Sequence, residues 1–184
     1  MPITYEEFGR RFVESVLTAD RVERTLERVV AGTFSTSMKL AAGIVRAEGS
    51  GDVSHVEVDL ISDAGLKFRA QVFVTLELSV RLSGVPHRYE GKARIELELR
   101  PLMQEDMTIF IDVPNVSDEA VTLELRPLGR VAGLLDQLGS VAEQAKREIA
   151  RFVNTRKERA DALRERTIEI VPAIEAEWQR RAGR

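Results

Sequence analysis

Cysteine is absent from all 184 residues, which excludes a disulfide framework and any thiolate metal site. Histidine occurs only at positions 55 and 87. A metal site would need both, plus carboxylates from distant segments, and no ligand spacing indicates one. No stretch reaches the roughly 18 apolar residues of a membrane-spanning helix. The opening MPITYEEFGRRF has no basic start followed by an apolar run, so no signal peptide is expected and a cytoplasmic location is. The fingerprints GxGxxG, GxxxxGK(S/T) and GxSxG are all missing, and neither Ser140 nor Thr155 has a base near it in sequence. These absences predict a protein that is not an enzyme and needs no cofactor. Net charge is −3 with a pI near 5.6, which argues against nucleic acid as a partner.

What is present is alternation. Leu66 to Leu82 reads LKFRAQVFVTLELSVRL, with every even position apolar and every odd one polar except Phe73. Successive strand side chains point to opposite faces, so this is one strand with an apolar side and a wet side. At about 3.3 Å per residue it runs roughly 55 Å. A compact chain of this length has a radius of gyration of only about 16 Å. A straight strand does not fit inside such a globule, so the sheet must coil around something.

Further segments alternate in the same way. Phe34 to Ala47 favours a strand, Gly49-Ser50-Gly51 reads as a turn, and Val56, Val58 and Leu60 mark the next strand. Residues 88–100 put Tyr89, Gly91, Ala93, Ile95, Leu97 and Leu99 on one face and only charges on the other, until Pro101. Met107 to Val113 and Val121 to Leu125 complete the set. Clean alternation with short connections predicts an antiparallel meander with one solvated face. Glu96 and Glu98 look like paired carboxylates, but they lie on that charged outer face, where solvation accounts for them.

Two segments have helical spacing instead. Thr4 and Glu7 are spaced as a capping box, and apolar residues from Phe8 to Val30 predict an amphipathic helix over 4–30, loosened near Thr18–Asp20 and ended by Gly32. From Leu128 onward Val131, Leu134, Leu135, Leu138, Val141, Ala145, Ile149, Phe152 and Val153 recur at steps of three and four. That predicts a helix of about 35 residues, roughly 50 Å long. Its stripe thins after Val153, so 156–184 reads as a charged, weakly packed helical extension with acids interleaved among its basic residues. Pro172 breaks it, and Ile174 with Trp178 suggests a short terminal helix. The predicted fold class is α+β: a long, strongly coiled antiparallel sheet wrapped around an N-terminal and a long C-terminal helix, in one module over 1–155.

The order and length of these elements carry a resemblance. The stretches VEVDLIS, LKFRAQVFVTLELSVRL, GKARIELEL, MTIFIDV and AVTLELRP, followed by GLLDQLGSVAEQAKREIARFV, resemble one module of the tubular lipid-binding (TULIP) superfamily. That group includes the bactericidal permeability-increasing protein-like and SMP domains and bacterial relatives. The resemblance implies a lipid or other hydrophobic ligand held between helices and concave sheet, with lipid transport, a homodimer and peripheral membrane contact as candidate properties. The residues expected at such a groove are Phe12, Val16, Phe68, Val72, Val74, Leu76, Leu78, Ile95, Leu97, Ile109, Ile111, Leu135, Leu138 and Val141. Each is equally at home in an ordinary core, because core and lipid cavity use the same chemistry. The small residues Ala70, Gly91, Ala93 and Ala142 are expected to leave room. The alternative is a structural or interaction protein of the same fold with its interior filled, acting through dimerisation. A helix-grip or cyclase-like domain ranks below both.

Overall fold

The computed structural model describes residues 2–40, 45–62, 66–82, 85–129, 135–172 and 179. The chain opens with α1 (Tyr5–Val16), whose first turn is capped by the Thr4 hydroxyl accepting from the Glu7 amide at 3.1 Å. The predicted single helix over 4–30 is in fact two. The chain breaks at Leu17-Thr18 and restarts as α2 (Ala19–Val30), with Thr18 in extended geometry ahead of it. Gly32 follows at φ 135°, a conformation that an L side chain rarely adopts, and lets the chain leave α2 directly into a strand.

Seven strands make up the described sheet: β1 (Thr33–Leu40), β2 (Val45–Ser62), β3 (Lys67–Leu82), β4 (Val85–Met103), β5 (Thr108–Asp112), β6 (Val121–Pro127) and β7 (Thr167–Glu169). Their order is β1-β2-β3-β4-β5-β7, with β6 also paired to β4, and every pairing is antiparallel. The sheet curls into a half-barrel, which is how a 16-residue β3 fits the globule. Between β5 and β6 lies a short 3-10 turn at Asp118–Ala120. Then come α3 (Leu135–Lys157) and α4 (Ala160–Glu165).

The register explains two departures from expectation. Gly49-Ser50-Gly51 is not a turn; it is the middle of β2, opposite Leu78, Glu77 and Leu76 on one side and Thr36, Ser35 and Phe34 on the other. Across the sheet at this level runs Phe34, Gly51, Leu76, Gly91, Leu125, large and absent side chains in alternation. A Cβ on Gly51 would lie 2.5 Å from the Phe34 ring, and one on Gly91 would meet Leu76 and stand 2.9 Å from Leu125. Glycine is required here by close side-chain approach, in the way an aromatic ring covers a glycine on a neighbouring strand. The second departure is a β-bulge at Ser54, between the Val53 and His55 pairings. Before it the odd residues Ala47 and Gly51 face inward; after it the even residues Val56 and Val58 do.

The long helix also ends earlier than its periodicity suggests. The described part of α3 is 23 residues, about 35 Å, and its expected start at 130–134 lies outside the described residues. Residues 158–172 do not project as a helix. The chain turns at Glu158-Arg159, forms α4, and adds β7 to the sheet through Thr108–Glu169, Ile109–Ile168 and Phe110–Thr167. Ala162, Arg166 and Ile170 are buried there. The expected terminal helix around Ile174 and Trp178 lies outside the described residues.

Candidate functional site

The inward face of β3 is Phe68, Ala70, Val72, Val74, Leu76, Leu78 and Val80, all buried. Tyr89, Ala93, Ile95, Leu97 and Leu99 of β4 continue it, as do Ile109 and Ile111 of β5. This is a continuous apolar concave surface. From α1, Val16 is buried and Phe12 half-buried, while Val141 of α3 is fully covered. Leu135 and Leu138 belong to α3, but their side chains lie outside the described set. The structure therefore brings the described members of the expected groove into one core cluster.

Beside the described part of α3 the cluster is closely packed: one void bounded by Phe34, Leu76, Leu78, Ala145 and Ile149 amounts to about 10 Å³, room for about one water at most. The room expected beside the small residues is taken up by their neighbours. Leu76 lies over Gly91, Leu78 over Gly49, and Ala70 is wholly enclosed.

Two features of this interior still bear on ligands. Val141, Ala145, Ile149 and Val153 give α3 an apolar seam against the core, and near its C-terminal end it is hydrogen-bonded to neighbouring backbone. Asn154 accepts from the Val116 amide at 2.8 Å and donates to the Val116 carbonyl at 2.9 Å. Arg156 donates to the Ala31 carbonyl, and Lys157 to that of Val113 at 2.9 Å. The other feature is Tyr89, whose buried hydroxyl has no hydrogen-bond partner among the described residues. Burial pushes its phenol above the usual range.

The buried cations sit away from the concave face. Arg166 lies 4.6 Å over the Phe110 ring, a cation–π contact. Burial pushes the Lys157 ammonium below its usual range, and repulsion from Arg166 adds to this against opposing attraction from Glu158 and Asp112. The folded state thus holds that proton less tightly than the unfolded chain does. An unfavourable charge is present below the folded pKa and is relieved as pH rises from there toward the ordinary lysine value of 10.5. Wild type should therefore gain melting temperature relative to Lys157→Met across the mildly alkaline range. A constant difference between the two melts would show that Lys157 is hydrated in the folded state.

The polar outer face behaves as a solvated surface. Glu98 is held below the usual carboxylate range by hydrogen bonds from Arg100 and Lys67, and Glu96 pairs with Arg94 at 3.3 Å. His55 stacks on Phe73 at 4.2 Å between ring centroids. No group of three metal-ligating side chains occurs among the described residues. Nor is any described helix long and apolar enough to cross a membrane.

Sequence reasoning missed the cavities on the other surfaces. A polar groove of about 860 Å³ crosses the outer sheet face over Ser35, Ser37, Glu48, Ser50, Glu77, Ser79 and Arg88. A cleft of about 490 Å³ lies between α2, α4 and β7. Both join residues far apart in the chain, so no local spacing announces them.

The α+β architecture, a curled antiparallel half-barrel with helices, is thus the class of protein defined by this chain. No protein-family profile matches the sequence, and no curated protein matches it. Among solved structures, lipopolysaccharide binding protein aligns with 80% of this chain and 38% of that chain, at 13% sequence identity and a TM-score of 0.36. The chain therefore spans well under half the length of that structure.

Proposed function

We propose that the protein binds a lipid or similar hydrophobic molecule, without catalysis, on the concave face of the half-barrel. The observation that carries this reading is the continuous apolar inward face of β3, β4 and β5, which α3 covers with an apolar seam of Val141, Ala145, Ile149 and Val153. Separation of α3 from the sheet would uncover Leu76, Leu78 and the rest of the inward face for an acyl chain, at about 25 cal/mol per Å² of apolar surface buried. The orphan Tyr89 hydroxyl supports the reading, since a ligand carrying a polar group offers it a partner. The resemblance to the tubular lipid-binding superfamily points the same way, and a homodimer or peripheral membrane contact belongs to the same proposal.

The test is organic extraction of the purified protein with lipid mass spectrometry, followed by uptake of a fluorescent long-chain fatty acid by the extracted protein. Wild type is expected to take up the probe. Tyr89→Phe removes a hydroxyl with no partner, so it should melt at the same or a higher temperature, by about 1 kcal/mol, yet bind the probe less tightly. Empty extracts together with no uptake would overturn the proposal. The close packing beside α3, where a void of only about 10 Å³ remains, favours a second reading in that event: a filled-core interaction protein acting through its surfaces.

A further inference from the structure

We infer that the cleft between α2, α4 and β7 is a binding site for a phosphoryl group. Arg21, Arg24 and Arg28 are spaced three, four and seven apart on α2, so they line one stripe of the helix. Arg164 and Glu165 of α4 and Thr167 and Ile168 of β7 form the opposite wall. Four guanidinium groups and one carboxylate give the cleft a formal charge of +3, in a chain whose net charge is −3.

Two of these arginines are fixed in place. Arg21 donates to the Val16 carbonyl at 2.8 Å, and Arg28 to Glu165 at 2.9 Å. Neither Arg24 nor Arg164 has an ion pair or hydrogen bond among the described residues. Thr25 also lines the cleft, and its hydroxyl has no hydrogen-bond partner among the described residues. The cleft thus offers an excess of donors and too few acceptors.

The missing acceptor must carry more than one negative charge and several oxygens to meet donors from both walls. A carboxylate offers two oxygens and one charge. A phosphate monoester carries −1.5 to −2 at neutral pH on three terminal oxygens, and guanidinium forks match it in bidentate fashion. The chemistry is the same for a soluble phosphate ester and for a lipid headgroup. The inference does not rest on the apolar ligand, because the cleft exists whether or not the interior opens.

The experiment compares wild type with Arg24→Ala and Arg164→Ala, neither of which breaks an ion pair, so all three should melt alike. Glycerol 3-phosphate is titrated while amide shifts are followed by NMR. Binding to phosphatidylcholine vesicles is measured by sedimentation with and without phosphatidic acid. Saturable shifts in residues 21–28 and 164–168, weakened tenfold or more in either variant, would support the site and place a soluble ester in it. Sedimentation that requires phosphatidic acid and falls tenfold in the variants would support it with a headgroup as the source. Binding of neither probe, equal binding by the variants, or the same shifts from chloride at equal ionic strength would overturn it.

Discussion

Leu78→Asp is expected to abolish folding or lower stability by about 4 kcal/mol or more, whereas Glu77→Lys, one position away, should leave the protein at least as stable as wild type. Leu78 is 4% exposed, lies over Gly49, and is paired across the sheet with Tyr89. A carboxylate placed there finds neither water nor a partner. Glu77 is exposed and directly opposite Glu90. Reversing its charge converts a like-charge pair into an attractive one, a gain of about 0.5 kcal/mol. Thermal melts of the three proteins decide the matter. Comparable losses from both substitutions would mean that the face assignment of β3 is inverted.

Asn154→Ala is expected to cost about 2–3 kcal/mol, an unusual loss for a half-buried polar residue on a helix. Its side chain satisfies both the amide and the carbonyl of Val116. Truncation strands two backbone groups at once, each worth about 1–3 kcal/mol when buried unpaired. Asn154→Asp should be no better, because the carboxylate keeps the bond from the amide but turns an oxygen toward the Val116 carbonyl. Denaturant midpoints at unchanged slope would measure both losses. A loss below about 0.5 kcal/mol for Asn154→Ala would show that water replaces the side chain at Val116.

How much of this was legible beforehand differs by element. The alternation of β3 and β4 carries its own register, since a slip by one residue exposes the whole inward face, and both strands lie where their pattern puts them. Gly49 and Gly51 misled because a glycine pair marks a turn in one context and a close side-chain approach in another. Only the partners Leu78 and Phe34 distinguish the two, and they are remote in sequence. TRKERADALRERT reads as a solvated helix because its charges outnumber its apolar residues. Yet Lys157 and Arg166 are buried, with Lys157 bonded to a backbone carbonyl and Arg166 stacked on a ring, contacts that hydropathy counts as unfavourable. The described apolar residues named for the groove were found inside, but the same pattern serves a filled core, so the close packing of Leu76 and Leu78 against Ala145 and Ile149 was invisible. The arginine cleft escaped notice because α2 alone shows an ordinary polar face. Its second wall arrives at Glu165, 137 positions after Arg28.

The bulge at Ser54 acts on β2 as a frameshift acts on a message. Upstream of it the strand is read with odd residues inside, downstream with even ones, and one extra residue resets the phase. The partners of Val53 and His55 on β3, Val74 and Phe73, are consecutive, so Ser54 is the residue with no counterpart. Deleting it would close the bulge and run Ala47 and Gly49 on one side and Val56 and Val58 on the other into a single unbroken alternation, all still facing inward. Inserting a residue between His55 and Val56 would do the opposite, turning Glu57 and Asp59 inward in place of Val56 and Val58 unless a second bulge absorbed it. Ser54 is thus a residue whose loss the face pattern of β2 can absorb, and it is defined by its place in the count more than by its hydroxyl.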